Sequence, residues 1–286
     1  MRRIKSMLSN DIKDSHGDIM HLAALKSMKK QLETNIPLSF REHDFRNAPI
    51  ARVVGASIVS REKHNYLYGE IEFFDIEDIN KTNTNKDIRN KKVPLHHPHD
   101  KEILISYDKS YVDDDLVDDV TALYETISKH ADIGYELKKS LEPVSALMLV
   151  IATKLANDFL SGFLSKPGSD FWDLLAGIVR KNVKSKGDKL YHFCFNIQNE
   201  LEVMIIFSNP TPDEIFNALN KEKAYLESFV REYIESNSNV RKVTFEYVNG
   251  GFTHQYSVYE DGTPFDINNI DEYIKIIEYV ANQKNP

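Results

Sequence analysis

The stretch His192-Phe193-Cys194-Phe195-Asn196-Ile197, followed by Leu201-Glu202-Val203-Met204-Ile205-Ile206-Phe207, decides how this chain is read. Phe193, Phe195 and Ile197 alternate with His192, Cys194 and Asn196, and Leu201, Val203, Ile205 and Phe207 repeat the alternation. Successive side chains of a strand point to opposite faces, so a period of two predicts two strands with one strongly apolar face. Downstream, Pro210 and Pro212 punctuate the start of a helix running from Asp213 to about Ser236, with Ile215, Leu219, Leu226, Phe229 and Tyr233 turned to a core. Val243, Phe245 and Tyr247 then pair with Tyr256 and Val258 across Asn249-Gly250-Gly251, and a last helix carries Ile270, Ile274 and Ile277. This order, ββαββα, predicts an antiparallel sheet covered on one face by helices.

Working back toward the amino terminus, Ser165-Lys166-Pro167-Gly168-Ser169 makes a turn with an N-cap, and Phe171, Leu174, Leu175, Ile178 and Val179 line a helix behind it. Before that turn the chain is unusually apolar from Pro143 to Leu164, and Lys154, Asn157, Asp158 and Ser161 fall on one helical face. An αα-hairpin is predicted, its first helix spanning Val144 to Leu164. The basic run Arg180 to Lys186 reads as a linker after it.

The front of the chain opens on a basic, polar terminus, Met1-Arg2-Arg3-Ile4-Lys5, with no secretory apolar region, which predicts a cytoplasmic protein. After Asp14-Ser15-His16-Gly17-Asp18, Leu22, Leu25, Met28 and Leu32 recur at helical spacing until Asn35-Ile36-Pro37. Ile50 to Ser60 and Tyr66 to Phe74 predict a β-hairpin, Ile79 to Lys92 a mobile surface loop, and Glu102 to Tyr107 a short strand. Asp113 to Asp115 precede Leu116, Val120, Leu123 and Ile127, since acids suit the positive end of a helix. The expected class is therefore α+β: two mixed α/β domains, residues 1–140 and 187–286, joined by an apolar αα-hairpin and linker over residues 141–186.

Composition narrows the functions. The 286 residues suffice for a sizeable core without cross-links. With 36 basic and 44 acidic residues the net charge is −8, which disfavours nucleic-acid or anionic-membrane binding by bulk electrostatics. The single cysteine, Cys194, excludes an intrachain disulfide and any zinc site built on paired thiolates. None of the 11 glycines falls in a dinucleotide-binding or P-loop spacing, and no nucleophile elbow, H-E-x-x-H pair or EF-hand loop occurs. Lys154 and Asp158 near the middle of the apolar segment would be costly in a bilayer, so membrane contact is not expected.

The stretch Arg41-Glu42-His43-Asp44-Phe45-Arg46-Asn47-Ala48-Pro49-Ile50-Ala51-Arg52-Val53-Val54, with Asp14 to Asp18 upstream and Tyr66-Leu67-Tyr68-Gly69 downstream, resembles the front half of phage prohead maturation proteases over roughly the first 110 residues. Ala51 stands where that family has glycine. The resemblance implies that His43 is the general base and that Ile103-Leu104-Ile105-Ser106-Tyr107 is the strand bearing the nucleophile, Ser106, with Asp44 or Asp108 orienting the imidazole. The family's small residues beside the serine are replaced by Ile105 and Tyr107.

A second constellation, Pro94-Leu95-His96-His97-Pro98-His99-Asp100, holds nitrogen and oxygen ligands for a divalent ion at His96, His97, His99 and Asp100. Adjacent His96 and His97 point different ways in extended chain, so another element has to complete such a site, with His16, Asp18 or His43 as candidates. No other cofactor is implied. The sequence thus supports two readings: a non-catalytic protein-interaction or sensing component, phage- or phage-defence-related and self-associating through the apolar hairpin, or a serine endopeptidase using His43 and Ser106. The first is favoured, because an endopeptidase needs a complete catalytic constellation and the sequence supplies two members of one.

Overall fold

The computed structural model describes residues 2–13, 19–79, 88, 90–96, 103–108, 114–128, 133–138, 147–153, 168–182, 189–236 and 239–282. It is mixed α/β, with six helices and two sheets among these residues. The chain divides into two compact units, one formed by Met1–Pro94 with Tyr256–Pro286 and one by Leu95–Gln255. The boundaries read from the sequence, at 140 and 186, both fall inside the second of these.

The first unit is built on an antiparallel sheet of four strands, β1 (Arg2–Asn10), β2 (Leu38–Ser39), β3 (Ala51–Arg61) and β4 (His64–Phe73), in the order β1-β4-β3-β2. The helix α1 (Leu22–Thr34) and the β3–β4 hairpin lie where their periodicities place them. The basic amino terminus, read only as polar, is instead the edge strand β1, held to β4 with a bulge at Leu8. The expected surface loop is also corrected in part: Ile79 and Ile88 are buried in this unit's core, while residues 80–87 and 89 lie outside the described ones. Isolated apolar residues among asparagines and lysines carry no period, so their burial is invisible to pattern reading. Arg52, wholly buried, donates from Nε and Nη2 to Glu72 Oε2 at 2.8 and 2.7 Å, and Arg3 holds the other carboxylate oxygen at 2.8 Å.

The second unit contains β5 (Ile103–Asp108), α2 (Asp114–Ile127), β6 (Ile133–Lys138), β7 (Leu147–Thr153), α3 (Gly168–Asn182), β8 (Leu190–Ile197), β9 (Leu201–Ser208), α4 (Pro212–Lys221), α5 (Lys223–Ser236) and β10 (Val240–Val248). The strand β11 (Gly251–Tyr259) starts in this unit and ends in the first, which also holds β12 (Pro264–Phe265) and α6 (Ile270–Asn282). The strands of the second unit run β10-β9-β8-β7-β5-β6 across the sheet.

Three expectations are corrected here. Leu147–Thr153 is a strand, not part of a helix, so the αα-hairpin has no first helix over those residues; residues 144–146 and 154–164 lie outside the described ones. An apolar run without alternation fits a strand buried on both faces as well as a buried helix, and Leu147 to Ile151 are all buried between β5 and β8. The carboxy-terminal sheet is not antiparallel, because β10 runs parallel to β9. A helical crossover returns the chain to the same end of the sheet, and α4 and α5 form that crossover between β9 and β10. Finally, the helix expected from Asp213 to Ser236 is two helices meeting at Glu222, the first opened by a capping box between Thr211 and Glu214.

Register defines the two faces of this sheet. Ile105, Leu149, Phe193, Ile205 and Phe245 are directly opposed across successive strands and belong to one large apolar core with residues of α2 to α5. The intervening residues form the other face in two parallel rows, Val150, Cys194, Met204 and Thr244, then Ala152, Asn196, Glu202 and Lys242. That face is chemically mixed yet buried: Cys194 and Glu202 are wholly enclosed and Asn196 nearly so.

Candidate functional site

The mixed face is where chemistry gathers. Asn196 on β8 stands opposite Glu202 on β9, which stands opposite Lys242 on β10, and Cys194 is one same-face step along β8. Diagonal neighbours on one sheet face are within reach of each other's side chains. Leu95 and His96 precede β5, and His96 is tied to this face through its backbone at both ends. Its N–H donates to Glu202 Oε2 at 2.6 Å, and its carbonyl accepts from Asn196 Nδ2 at 3.1 Å. The imidazole Nδ1 lies 3.1 Å from each oxygen of the same carboxylate. Lys242 Nζ donates to Glu202 Oε1 at 3.0 Å.

These partners control the charge of Glu202. Burial alone pushes its carboxyl up, but the charges of His96 and Lys242 and their hydrogen bonds outweigh that and hold it well below the usual carboxylate range. Glu202 is therefore a buried anion at neutral pH. Among the described residues His96, Cys194 and Glu202 also offer an imidazole nitrogen, a thiol sulfur and a carboxylate oxygen that all lie within 4.8 Å of one another.

Of the ligands expected from the histidine run, the structure thus joins His96 to a site, whereas His97, His99 and Asp100, and the completing candidates His16 and Asp18, lie outside the described residues. Sequence reading missed Cys194, Glu202 and Lys242 as partners of His96. A signal was present at Glu202, because a lone carboxylate in a strand that is otherwise apolar requires a buried partner.

The expected protease residues are differently placed. His43 is exposed in a tight turn of the first unit, Arg41–His43, with its backbone in the left-handed region at φ 55°. Asp44, expected to orient it, is gripped by Arg46 through Nε at 3.0 Å and Nη2 at 2.8 Å. Ser106 belongs to the second unit, in the middle of β5, with Glu136 of β6 and Met148 of β7 opposite it. Only 2% of Ser106 is exposed, and its hydroxyl has no hydrogen-bond partner among the described residues. Asp108 closes the same strand.

No helix among the described residues is long and apolar enough to cross a membrane. Comparison with known proteins found no matching family model, no matching curated protein and no matching solved structure.

Proposed function

We propose that the protein is a non-catalytic interaction component that associates with a second copy of itself through the first unit. The observation that carries this reading is a group of large apolar side chains left in solvent between the end of β1 and the start of α1: Leu8, Ile12, Ile19 and Leu22 are 37–55% exposed. Ser9 Oγ meets Met20 Sδ at 3.4 Å, which draws the approach to α1 alongside the end of β1. Scattered exposed apolar residues are ordinary, but a cluster at one place is the signature of an interface, and a single patch that meets its own copy closes as a two-fold dimer. The bulge at Leu8 and the basic residues Arg3 and Lys5 blunt β1 as an edge for strand pairing, so the contact is one of side chains.

The non-catalytic part is supported by Ser106, whose enclosed hydroxyl offers no approach to a peptide carbonyl, and by Glu202, whose charge is already engaged by Lys242 and the His96 N–H. The test is the solution mass across a concentration series by light scattering. Dimer is expected for the natural chain and monomer for Ile12→Lys with Ile19→Lys. A natural chain that stays monomeric, or a double variant that stays dimeric, overturns the reading. Cleavage of a protein substrate that disappears in Ser106→Ala overturns the non-catalytic part separately.

A further inference from the structure

We propose that His96, Cys194 and Glu202 bind one divalent ion of the zinc class. The site goes beyond the association proposed above and is independent of it. The donor set is the first argument. A borderline-soft ion accepts imidazole nitrogen, thiolate sulfur and carboxylate oxygen together, and these three meet here from two neighbouring strands and the segment before β5. Hard ions such as magnesium or calcium would leave the sulfur unused.

Geometry is the second argument. Bonds of about 2.0 to 2.3 Å in a tetrahedral arrangement separate ligand atoms by roughly 3 to 4 Å. His96 Nδ1 and the Glu202 oxygens are already 3.1 Å apart, and all three ligand atoms lie within 4.8 Å of one another, so small side-chain rotations close the set. The His96 side chain is 25% exposed while Glu202 is enclosed, which makes the imidazole the side from which an ion enters.

The surroundings are the third. Metal-bound carboxylates are themselves held by hydrogen bonds, and Lys242 and the His96 backbone N–H hold the two oxygens of Glu202. Asn196 Oδ1 is a buried acceptor without a hydrogen-bond partner among the described residues, on the same face and directly opposite Glu202. Its amide orientation is set by the hydrogen bond from Nδ2 to His96. Three protein ligands leave a fourth position for water, and a coordinated water is the donor that this acceptor lacks. On binding, the Cys194 thiol gives its proton to solvent and the sulfur forms the metal bond.

Cobalt(II) is the probe, added to the full, untagged chain. One equivalent per chain is expected, with a thiolate-to-cobalt charge-transfer band and the intense visible bands of tetrahedral cobalt. Cys194→Ser should lose the charge-transfer band while keeping its melting profile, and His96→Ala and Glu202→Gln should each weaken binding by about tenfold or more. The proposal is overturned if saturating cobalt gives no charge-transfer band, or if Cys194→Ser binds as the natural chain does, which would assign uptake to the histidine run alone. It is equally overturned if the band survives both His96→Ala and Glu202→Gln at unchanged affinity. Should Cys194→Ser fail to fold, the spectrum of the natural chain with those two variants still decides.

Discussion

Removing Lys242 while keeping its volume exposes how the candidate site holds a buried charge. Lys242→Met preserves most of the aliphatic stem but takes away the ammonium, which sits 3.0 Å from Glu202 Oε1 with only 12% of the side chain exposed. Breaking a buried ion pair by deleting one partner costs about 3 to 5 kcal/mol, since the surviving charge stays desolvated. Glu202 still keeps the His96 N–H at 2.6 Å and the imidazole at 3.1 Å, which places the expected loss at the lower end, about 3 kcal/mol. Glu202→Gln in the same chain removes the stranded charge, so the double variant should recover part of that loss, with a coupling energy of about 1 kcal/mol or more. The assay is urea unfolding with a chelator present, followed by fluorescence of Trp172. It is the chain's one tryptophan, set edge-on to Phe216 against the second unit's core, and so reports that unit alone. A coupling energy below about 0.5 kcal/mol would refute the claim that Lys242 and Glu202 form one electrostatic unit.

Other expectations follow from single residues. Leu149→Glu puts a carboxylate at the centre of β7, where the leucine is enclosed in the apolar core; the cooperative Trp172 transition should vanish, and a melting curve like that of the natural chain would disprove the strand's burial on both faces. Tyr273 donates its hydroxyl to the Pro49 carbonyl at 2.7 Å, and burial pushes its phenol well above the usual range. Its contribution is therefore complete below about pH 10 and is lost as pH rises beyond. Tyr273→Phe should cost about 1 to 2 kcal/mol at neutral pH and flatten the alkaline fall in stability measured by circular dichroism. Asp11 is held below the usual carboxylate range by hydrogen bonds from the Asn65 backbone at 2.9 Å and side chain at 2.6 Å, aided by His64. With a depressed folded value its contribution is present above about pH 4 and lost as pH falls through that lower value. Asp11→Asn should lose this acid-sensitive component, and an unchanged acid limb would argue against it.

Much of the secondary structure was legible because amphipathic elements advertise themselves locally. Leu22, Leu25, Met28 and Leu32 mark α1 by spacing alone, and Asn249-Gly250 marks the turn into β11, where both residues have positive φ as that turn demands. Elements enclosed on both faces, or hidden on neither, lack such a contrast. Leu147–Thr153 is apolar on both sides and reads equally as helix or strand, and β1 carries arginine and lysine that say nothing of its pairing with β4. Of the candidate site, pattern reading reached His96 alone, although the lone carboxylate Glu202 in an apolar strand was a second signal. The partners of His96 are far away in the chain, and no sequence spacing encodes a register between β8, β9 and β10.

Taken by itself, the order of residues determined where the amphipathic segments alternate or coil and where glycine and proline turn them, because these depend on neighbours two to four positions apart. It also determined that Cys194 has no second cysteine to pair with. Tertiary structure alone decided that β10 joins β9 in parallel, that Ser106 is sealed inside a strand, and that His96, Cys194, Glu202 and Lys242 converge. The reason is physical. A shift of one residue in the pairing of two strands sends every side chain to the opposite face, so the site exists only in the register that the packed sheet selects.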